Sequence, residues 1–218
     1  MSLLELKNLC YVHHNDLILE NISLSINSGD FVSLVGPSGG GKSTLFKICS
    51  HLISPTSGTI LYKNKPFIEY NPVELRKNIS YCFQTPQLFR DTVMDNLNFP
   101  YAIRNMKADL NRIEKLLHTF SLDKNYLNKS IENLSGGEKQ RIALIRTLIF
   151  KPEILLLDEV TSALDVENTL IVEDVIEALN KDDITILWIT HNPEQSVKFA
   201  NKVVTIESGR IKSVEVIR

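Results

Sequence analysis

The sequence predicts an α/β fold, with buried core strands and a separate helical stretch. Three observations carry this. Phe31–Val35 is an apolar run of strand length, followed by the glycine loop Gly36-Pro37-Ser38-Gly39-Gly40-Gly41-Lys42-Ser43-Thr44 and a helical start over 45–49. Residues 154–157 are four consecutive apolar side chains, the pattern of a strand covered on both faces, and they end in Asp158-Glu159. Residues 85–133 mix apolar and charged side chains at helical spacing around Ile113, Leu116, Leu117 and Phe120, with no strong strand.

Each further element has its own signal. Leu4, Leu6 and Leu9 mark one alternating segment and Ile22, Leu24 and Ile26 another, so residues 3–35 read as short strands. Asn27-Ser28-Gly29-Asp30 is the turn into the strand before the glycine loop. Ser57-Gly58 precedes a strand over 59–62. Residues 139–150 form a helix with Ile142, Ile145, Leu148 and Ile149 at helical spacing. Residues 165–180 form another, with Leu170, Ile171, Val175, Ile176 and Leu179 as its apolar face. The remaining strands are 184–190 and 203–207, the latter turning at Ser208-Gly209 into 210–216.

Composition narrows the functional classes. The chain has 218 residues and 43% hydrophobic content, enough for one sizeable core. Lys and Arg number 24 against 26 Asp and Glu, so no basic excess points to nucleic acid as a partner. Cys10, Cys49 and Cys82 are widely spaced with no C-x-x-C pair, which argues against zinc and disulfides and for reduced core residues in a cytosolic protein. No apolar run reaches the roughly 18 residues that a spanning helix needs. Residues 1–7 alternate like a strand and lack the basic and long apolar regions of a signal peptide.

The glycine loop fits G-x-x-x-x-G-K-[ST] in the strand–loop–helix context that gives the pattern meaning. Gly36, Gly39, Gly40 and Gly41 carry no Cβ, so the backbone can form a nest of N–H groups aimed at phosphate oxygens. The helix start adds partial positive charge. Lys42 is placed to reach the β- and γ-phosphates of a nucleoside triphosphate, and the Ser43 hydroxyl to ligate Mg²⁺. Asp158, at the C-terminal end of a core strand where α/β sheets bind ligands, suits a Mg²⁺ held through water. Glu159 is placed to polarise an attacking water as general base.

Leu134-Ser135-Gly136-Gly137-Glu138 opens the helix over 139–150 and forms a second anion site at a helix N-terminus. Leu-Ser-Gly-Gly between a Walker A loop and a Walker B strand is the signature of ABC ATPases, and the chain resembles that family from end to end. Gln84, in Tyr81-Cys82-Phe83-Gln84, looks like the Q-loop residue. Ser162-Ala163-Leu164-Asp165 looks like the D-loop, and His191 like the switch histidine. The resemblance implies a P-loop NTPase core of ABC ATPase type, with an antiparallel β subdomain and a helical subdomain over about 85–150 inserted in the core. Residues 1–218 would be a single ATP-binding domain. It also implies ATP and Mg²⁺ as cofactors. Glu159, His191, Lys42 and Gln84 would be catalytic, and Ser43, Gln84 and Asp158 would hold the metal. ATP would be held by residues 36–44 of one chain and 135–137 of a second, in a homodimer formed upon ATP binding. Family members stack adenine on an aromatic residue whose place here falls on His13 or Tyr11. Strand alternation puts both rings on one face, so the sequence does not choose.

The resemblance further implies an integral membrane permease docking near residues 85–101, with the chain peripheral on the cytoplasmic face of the inner membrane. Leu88, Phe89, Val93, Leu97 and Phe99-Pro100-Tyr101 supply apolar groups there, with Phe89 as an exposed aromatic anchor. The stretch after Gln84 is shorter than in many importers and resembles exporters. Residues 80–105, with Tyr-Cys-x-Gln-Thr-Pro, Asp-Thr-Val, Asp-Asn-Leu and Phe-Pro, resemble the ATP-binding subunits of Fet-type iron exporters. The alternative is a non-transport ABC ATPase that regulates a membrane protein in signalling or cell-envelope control. Val160 departs from the proline or alanine usual at its position and touches no phosphate.

Overall fold

The computed structural model describes residues 2–217, in two units. The first comprises the residues up to Tyr81, Pro152–Glu159 and the residues from Asn180 on; the second comprises Cys82–Lys151 and Val160–Leu179.

The first unit opens with β1 (Ser2–His13) and β2 (Asp16–Asn27), paired antiparallel. These are two long strands where the pattern predicts several short ones. Register shifts at Leu6/Leu9 and Leu9/Tyr11 absorb the breaks in alternation, and Asn8 and Asn21 take φ of 50° and 53° beside them. Asparagine tolerates that left-handed backbone, so the strands continue through bulges. Then come β3 (Phe31–Val35), α1 (Lys42–Cys49), β4 (Ser57–Tyr62), β5 (Lys65–Pro66), α2 (Pro72–Asn78) and β6 (Ile79–Cys82). The sequence reading passes over α2 and β6. The start signal for α2 was present: Asn71 accepts hydrogen bonds from the Val73 and Glu74 amides, and Pro72 sits in the first turn. The later elements are β7 (Ile154–Asp158), β8 (Thr185–Ile189), α7 (Pro193–Lys198), β9 (Lys202–Glu207) and β10 (Arg210–Val216).

These strands form two sheets. One is antiparallel with order β2-β1-β4-β5; the other has order β10-β9-β3-β8-β7-β6, in which β9, β3, β8 and β7 run parallel. Every residue of β7 and β8 is buried, as their unbroken apolar runs require. One core joins both sheets, from Leu4, Leu6 and Ile22 through Phe46 and Ile48 of α1 to Leu156 and Val204.

The second unit contains α3 (Val93–Ala102), α4 (Leu110–Thr119), α5 (Gly136–Leu148) and most of α6 (Val166–Lys181). Each start of the first three is capped: Thr92 with Asp95 in α3, Asp109 in α4, Ser135 with Glu138 in α5. Helix α5 begins before the predicted residue 139, because its cap is Ser135 and both glycines lie in its first turn. In α6 the buried face is Val172, Val175 and Ile176, while Leu170 is 47% exposed, contrary to the predicted apolar face.

Phe89 is not an exposed anchor either. Its ring meets Phe99 edge-on at 4.6 Å, and the Arg146 guanidinium lies 4.9 Å over it. Fully buried Asn96 donates to the Phe89 carbonyl at 2.8 Å and accepts from the Phe89 amide and Arg146. Val93, Leu97, Pro100 and Tyr101 are buried in this unit. Val93, Leu97, Pro100 and Tyr101 therefore close the unit's own core, while Leu88, Phe89 and Phe99 stay half-buried.

Asp30 ties the turn before β3 to the start of β9. Its carboxylate accepts from the Asn27 amide at 2.8 Å, Asn201 Nδ2 at 3.0 Å and Lys202 Nζ at 2.5 Å, and the residue is buried. Asp30→Ala strands a largely buried ammonium and should cost about 3 kcal/mol. A chain of this size should then lose roughly 6–12 °C in melting temperature. Calorimetry checks this, and an unchanged midpoint would show that the tie does not hold the sheet.

Candidate functional site

The glycine loop is threaded between β9 and β2. Gly36 has φ of 133°, and a Cβ there would lie 2.0 Å from the Ile206 carbonyl oxygen. Gly41 has φ of 99°, and a Cβ there would meet Leu19 Cδ2 at 2.6 Å and the Ile18 carbonyl at 3.0 Å. Both positions need glycine for conformation and for space. The loop is pinned by the Gly40 amide donating to Pro37 and the Gly209 amide donating to Gly40. Ser38 and Gly39 face solvent, and Thr44 lies in the first turn of α1.

Lys42 begins α1 and is buried. Its Nζ donates to the carbonyls of Gly36 and Pro37, each at 2.9 Å. Burial lowers its pKa from the ordinary lysine value, while Glu159 and then Asp158 pull it back up. Ser43 Oγ donates to Asp158 Oδ1 at 3.2 Å. Tyr81 Oη, from β6, donates to the other oxygen, Oδ2, at 2.7 Å.

Glu159 follows β7 with φ of 48°, a conformation that costs a non-glycine residue about 1–3 kcal/mol. Its amide donates to the Ile189 carbonyl, the last residue of β8, at 3.0 Å. Its Oε1 lies 2.8 Å from His191 Nε2. The loop carrying His191 is anchored on both sides. Buried Thr190 bonds Gln195 and accepts from the Asn192 amide, and Asn192 caps α7.

Tyr11 and His13 lie on β1 with their rings nearly parallel, 6.2 Å apart and inclined by 12°. Tyr11 pairs across the strands with Leu19, the residue against Gly41, so the aromatic pair belongs to the strand edge that the loop abuts. Both rings remain candidates for a base platform.

In the second unit, buried Leu134 precedes the α5 cap. Ser135 Oγ accepts from the Glu138 amide at 3.2 Å, and the Ser135 amide donates to Glu138 Oε2 at 2.7 Å. Tyr126 Oη donates to the other Glu138 oxygen at 2.5 Å. Burial pushes the Glu138 carboxyl up, but the bonds from Tyr126 and Ser135, with Lys129, outweigh it and hold it below its ordinary value. A Cβ at Gly136 would meet nothing within 4 Å, so the helix start stays open. At Gly137 it would press on Leu164 Cδ2 at 3.3 Å. Ser162 and Ala163 are exposed; Asp165 accepts from Asn168 N and Nδ2, each at 2.8 Å, which lowers its pKa. Gln84 is exposed. A groove of about 400 Å³ is lined by Pro86, Gln87, Leu88, Ile131, Glu132 and Lys139.

Of the nominated residues, the first unit brings Lys42, Ser43, Asp158, Glu159 and His191 together. Gln84 and residues 134–138 and 162–165 belong to the second. Sequence reasoning missed Tyr81 and Tyr126, whose bonds span 77 and 12 residues and leave no local pattern. The chemistry fits a nucleotide and Mg²⁺. A hydroxyl and a carboxylate 3.2 Å apart are hard oxygen donors, and Mg²⁺ uses one or two carboxylates beside phosphate oxygens. The glycine loop and α1 start supply amides for phosphate.

A family profile described as "ABC transporter" matches residues 19–162. The chain is 47% identical over 206 residues to the "Probable iron export ATP-binding protein FetA" of Escherichia coli strain K12, covering 94% of this chain and 91% of that one. It is 34% identical over 218 residues to a spermidine/putrescine import ATP-binding protein of Mycoplasma mycoides, covering 98% of this chain and 61% of that protein. Among solved structures, a dimeric post-hydrolysis state of the ATP-binding cassette MJ0796 bound to ADP and Pi superposes with a TM-score of 0.88 at 28% identity, covering 99% of each chain.

Two substitutions separate binding from chemistry at this site. Glu159→Gln should keep nucleotide affinity and lower turnover roughly 10²–10⁴-fold, the contribution of a positioned general base. Normal turnover would remove Glu159 from the mechanism. Lys42→Ala should leave the nucleotide-free melting temperature nearly unchanged and shrink its rise on adding ATP. An equal loss of stability without nucleotide would make Lys42 structural.

Proposed function

The chain belongs to the ABC transporter family, and we propose that it is the ATP-hydrolysing subunit that powers a separate membrane permease, an exporter of iron. Members of the family hydrolyse ATP with Mg²⁺ and couple this to transport. On this reading residues 1–218 are one ATP-binding domain with a helical subdomain inserted over about 85–150.

The carrying observation for the chemistry is the pair of contacts at the end of β7: Ser43 on Asp158, and His191 on Glu159. Lys42 and the amides of residues 36–44 would hold the β- and γ-phosphates. Ser43 and Asp158 would hold Mg²⁺, which offsets phosphate charge when bound. Glu159 would orient water and accept its proton, and His191 would fix the Glu159 carboxylate. Tyr11 or His13 would stack on adenine. Leu134–Glu138 and Ser162–Asp165 would complete the site across a homodimer formed upon ATP binding; the dimeric relative with ADP and Pi supports this pairing.

The iron-export reading rests on the 47% identity to an iron export ATP-binding protein over nearly the whole of both chains. An import protein is similar at 34%, so direction rests on the same comparison. Among the described residues no helix is long and apolar enough to cross a membrane. A separate permease would therefore provide the path, with this chain peripheral on the cytoplasmic face of the inner membrane. The groove beside Pro86, Gln87 and Leu88 supports docking near residues 85–101.

The test is reconstitution of the chain with its co-purified membrane partner in vesicles, with ATP supplied on the side bearing this chain. ATP should drive Fe²⁺ away from that side, and Glu159→Gln should abolish the flux. Movement toward the ATP side would reverse the direction, and polyamine flux in place of iron would replace the substrate. A partner with large extracytoplasmic domains and no flux would favour the non-transport regulator.

A further inference from the structure

Asp158 is held at both carboxylate oxygens, and one of its two donors has no role assigned by the sequence motifs. Ser43 of the glycine loop reaches Oδ1 at 3.2 Å, and Tyr81 reaches Oδ2 at 2.7 Å from the neighbouring strand β6. We propose that Tyr81 is a positioning residue, whose hydroxyl fixes the Asp158 carboxylate in the orientation that receives the nucleotide's Mg²⁺. This rests on the nucleotide-site reading above and extends it to a residue outside the glycine loop and the Asp158-Glu159 pair.

The terminal torsion of an aspartate is broad and roughly two-fold, so the strand alone does not fix which lone pairs face the site. Two donors from opposite sides remove that freedom. The Tyr81 donor is itself fixed. Its ring meets fully buried Phe46 of α1 edge-on, with centroids 5.9 Å apart and planes at 87°, and packs against the core shared by both sheets. A phenol donating to an ionised carboxylate forms a short, charge-assisted bond. Partners of this kind orient metal-binding groups, and their loss typically costs 10–100-fold in metal affinity. Asp158 is 3% exposed, so water cannot readily take over the bond once the phenol is gone.

Ring packing and hydroxyl function separate cleanly in Tyr81→Phe, which keeps the contact with Phe46. The probe is Mn²⁺ with a non-hydrolysable ATP analogue. Bound metal is read by electron paramagnetic resonance, and nucleotide-induced stabilisation is followed as metal is titrated. Asp158→Asn serves as the reference for a lost metal response. Tyr81→Phe should keep the nucleotide-free melting temperature and the metal-free nucleotide affinity of the wild type. The metal concentration giving half-maximal stabilisation should rise roughly 10-fold. A wild-type metal titration in Tyr81→Phe would overturn the proposal. So would a fall in nucleotide-free stability or metal-free affinity as large as the change in metal response, because Tyr81 would then be packing alone. If Asp158→Asn alters the metal response and Tyr81→Phe does not, the nucleotide site stands and only Tyr81 falls. If the wild-type chain shows no metal-dependent stabilisation, the nucleotide-site reading itself fails and the inference with it.

Discussion

Three parallel strands end at one level, and the candidate site exists because of that register. Leu34 of β3 and Asp158 of β7 both pair with Ile189 of β8, although they are far apart in the chain. The alignment continues past the strands: the Thr190 amide donates to Leu34, and the Glu159 amide to Ile189. The glycine loop, Asp158-Glu159 and Thr190-His191 therefore leave the sheet at the same end of its strands. A slip of one residue in β7 would turn Asp158 to the other face of the sheet and break its bonds to Ser43 and Tyr81. Both faces of β7 and β8 are buried, so the apolar runs build the sheet, and what a slip would misplace is the Asp158-Glu159 pair at the end of β7.

That dependence explains what the sequence could and could not disclose. The glycine loop and Asp158-Glu159 were legible because their geometry is local: a loop that needs positive φ and no Cβ writes glycines in consecutive positions. The buried strands were legible as apolar runs. Tyr81 was not, because its role depends on β6 lying beside β7, and no periodicity in residues 79–82 announces that neighbour. The long first strands were misread as short because bulges at Asn8 and Asn21 interrupt a two-residue period without ending the strand. Phe89 and Leu170 were misassigned for opposite reasons. Phe89 is half-covered by Phe99 and the Arg146 guanidinium, whereas Leu170 is 47% exposed although it sits at the expected spacing.

The first unit sets one buried ammonium beside two carboxylates. Lys42 is buried next to two carboxylates, and its ammonium is satisfied by two loop carbonyls. Burying an ammonium is costly, and the neighbouring carboxylates offset part of that cost. On the proposed nucleotide-site reading, a divalent ion beside Asp158 would offset that negative charge where phosphate has to approach. Charge balance thus gives Ser43 and Asp158 a reason to be held together that packing does not supply.

The second unit fixes a helix start that, on the proposed reading, would face an anion. The α5 start carries the partial positive charge of a helix N-terminus, and Gly136 leaves its approach open. An uncapped helix start in this place would be free to fray, so its amides would not be presented in a fixed direction. The reciprocal bonds of Ser135 and Glu138 prevent that, and Tyr126 and Lys129 hold Glu138 in turn. Glu138 is itself an anion at the helix start, and it would compete with an incoming one if its oxygens faced outward. Both are instead bound by the Ser135 amide and the Tyr126 hydroxyl, so the carboxylate rigidifies the cap while Gly136 stays exposed. The fifth residue of the Leu-Ser-Gly-Gly-Glu segment is, by this geometry, a structural brace for the four before it.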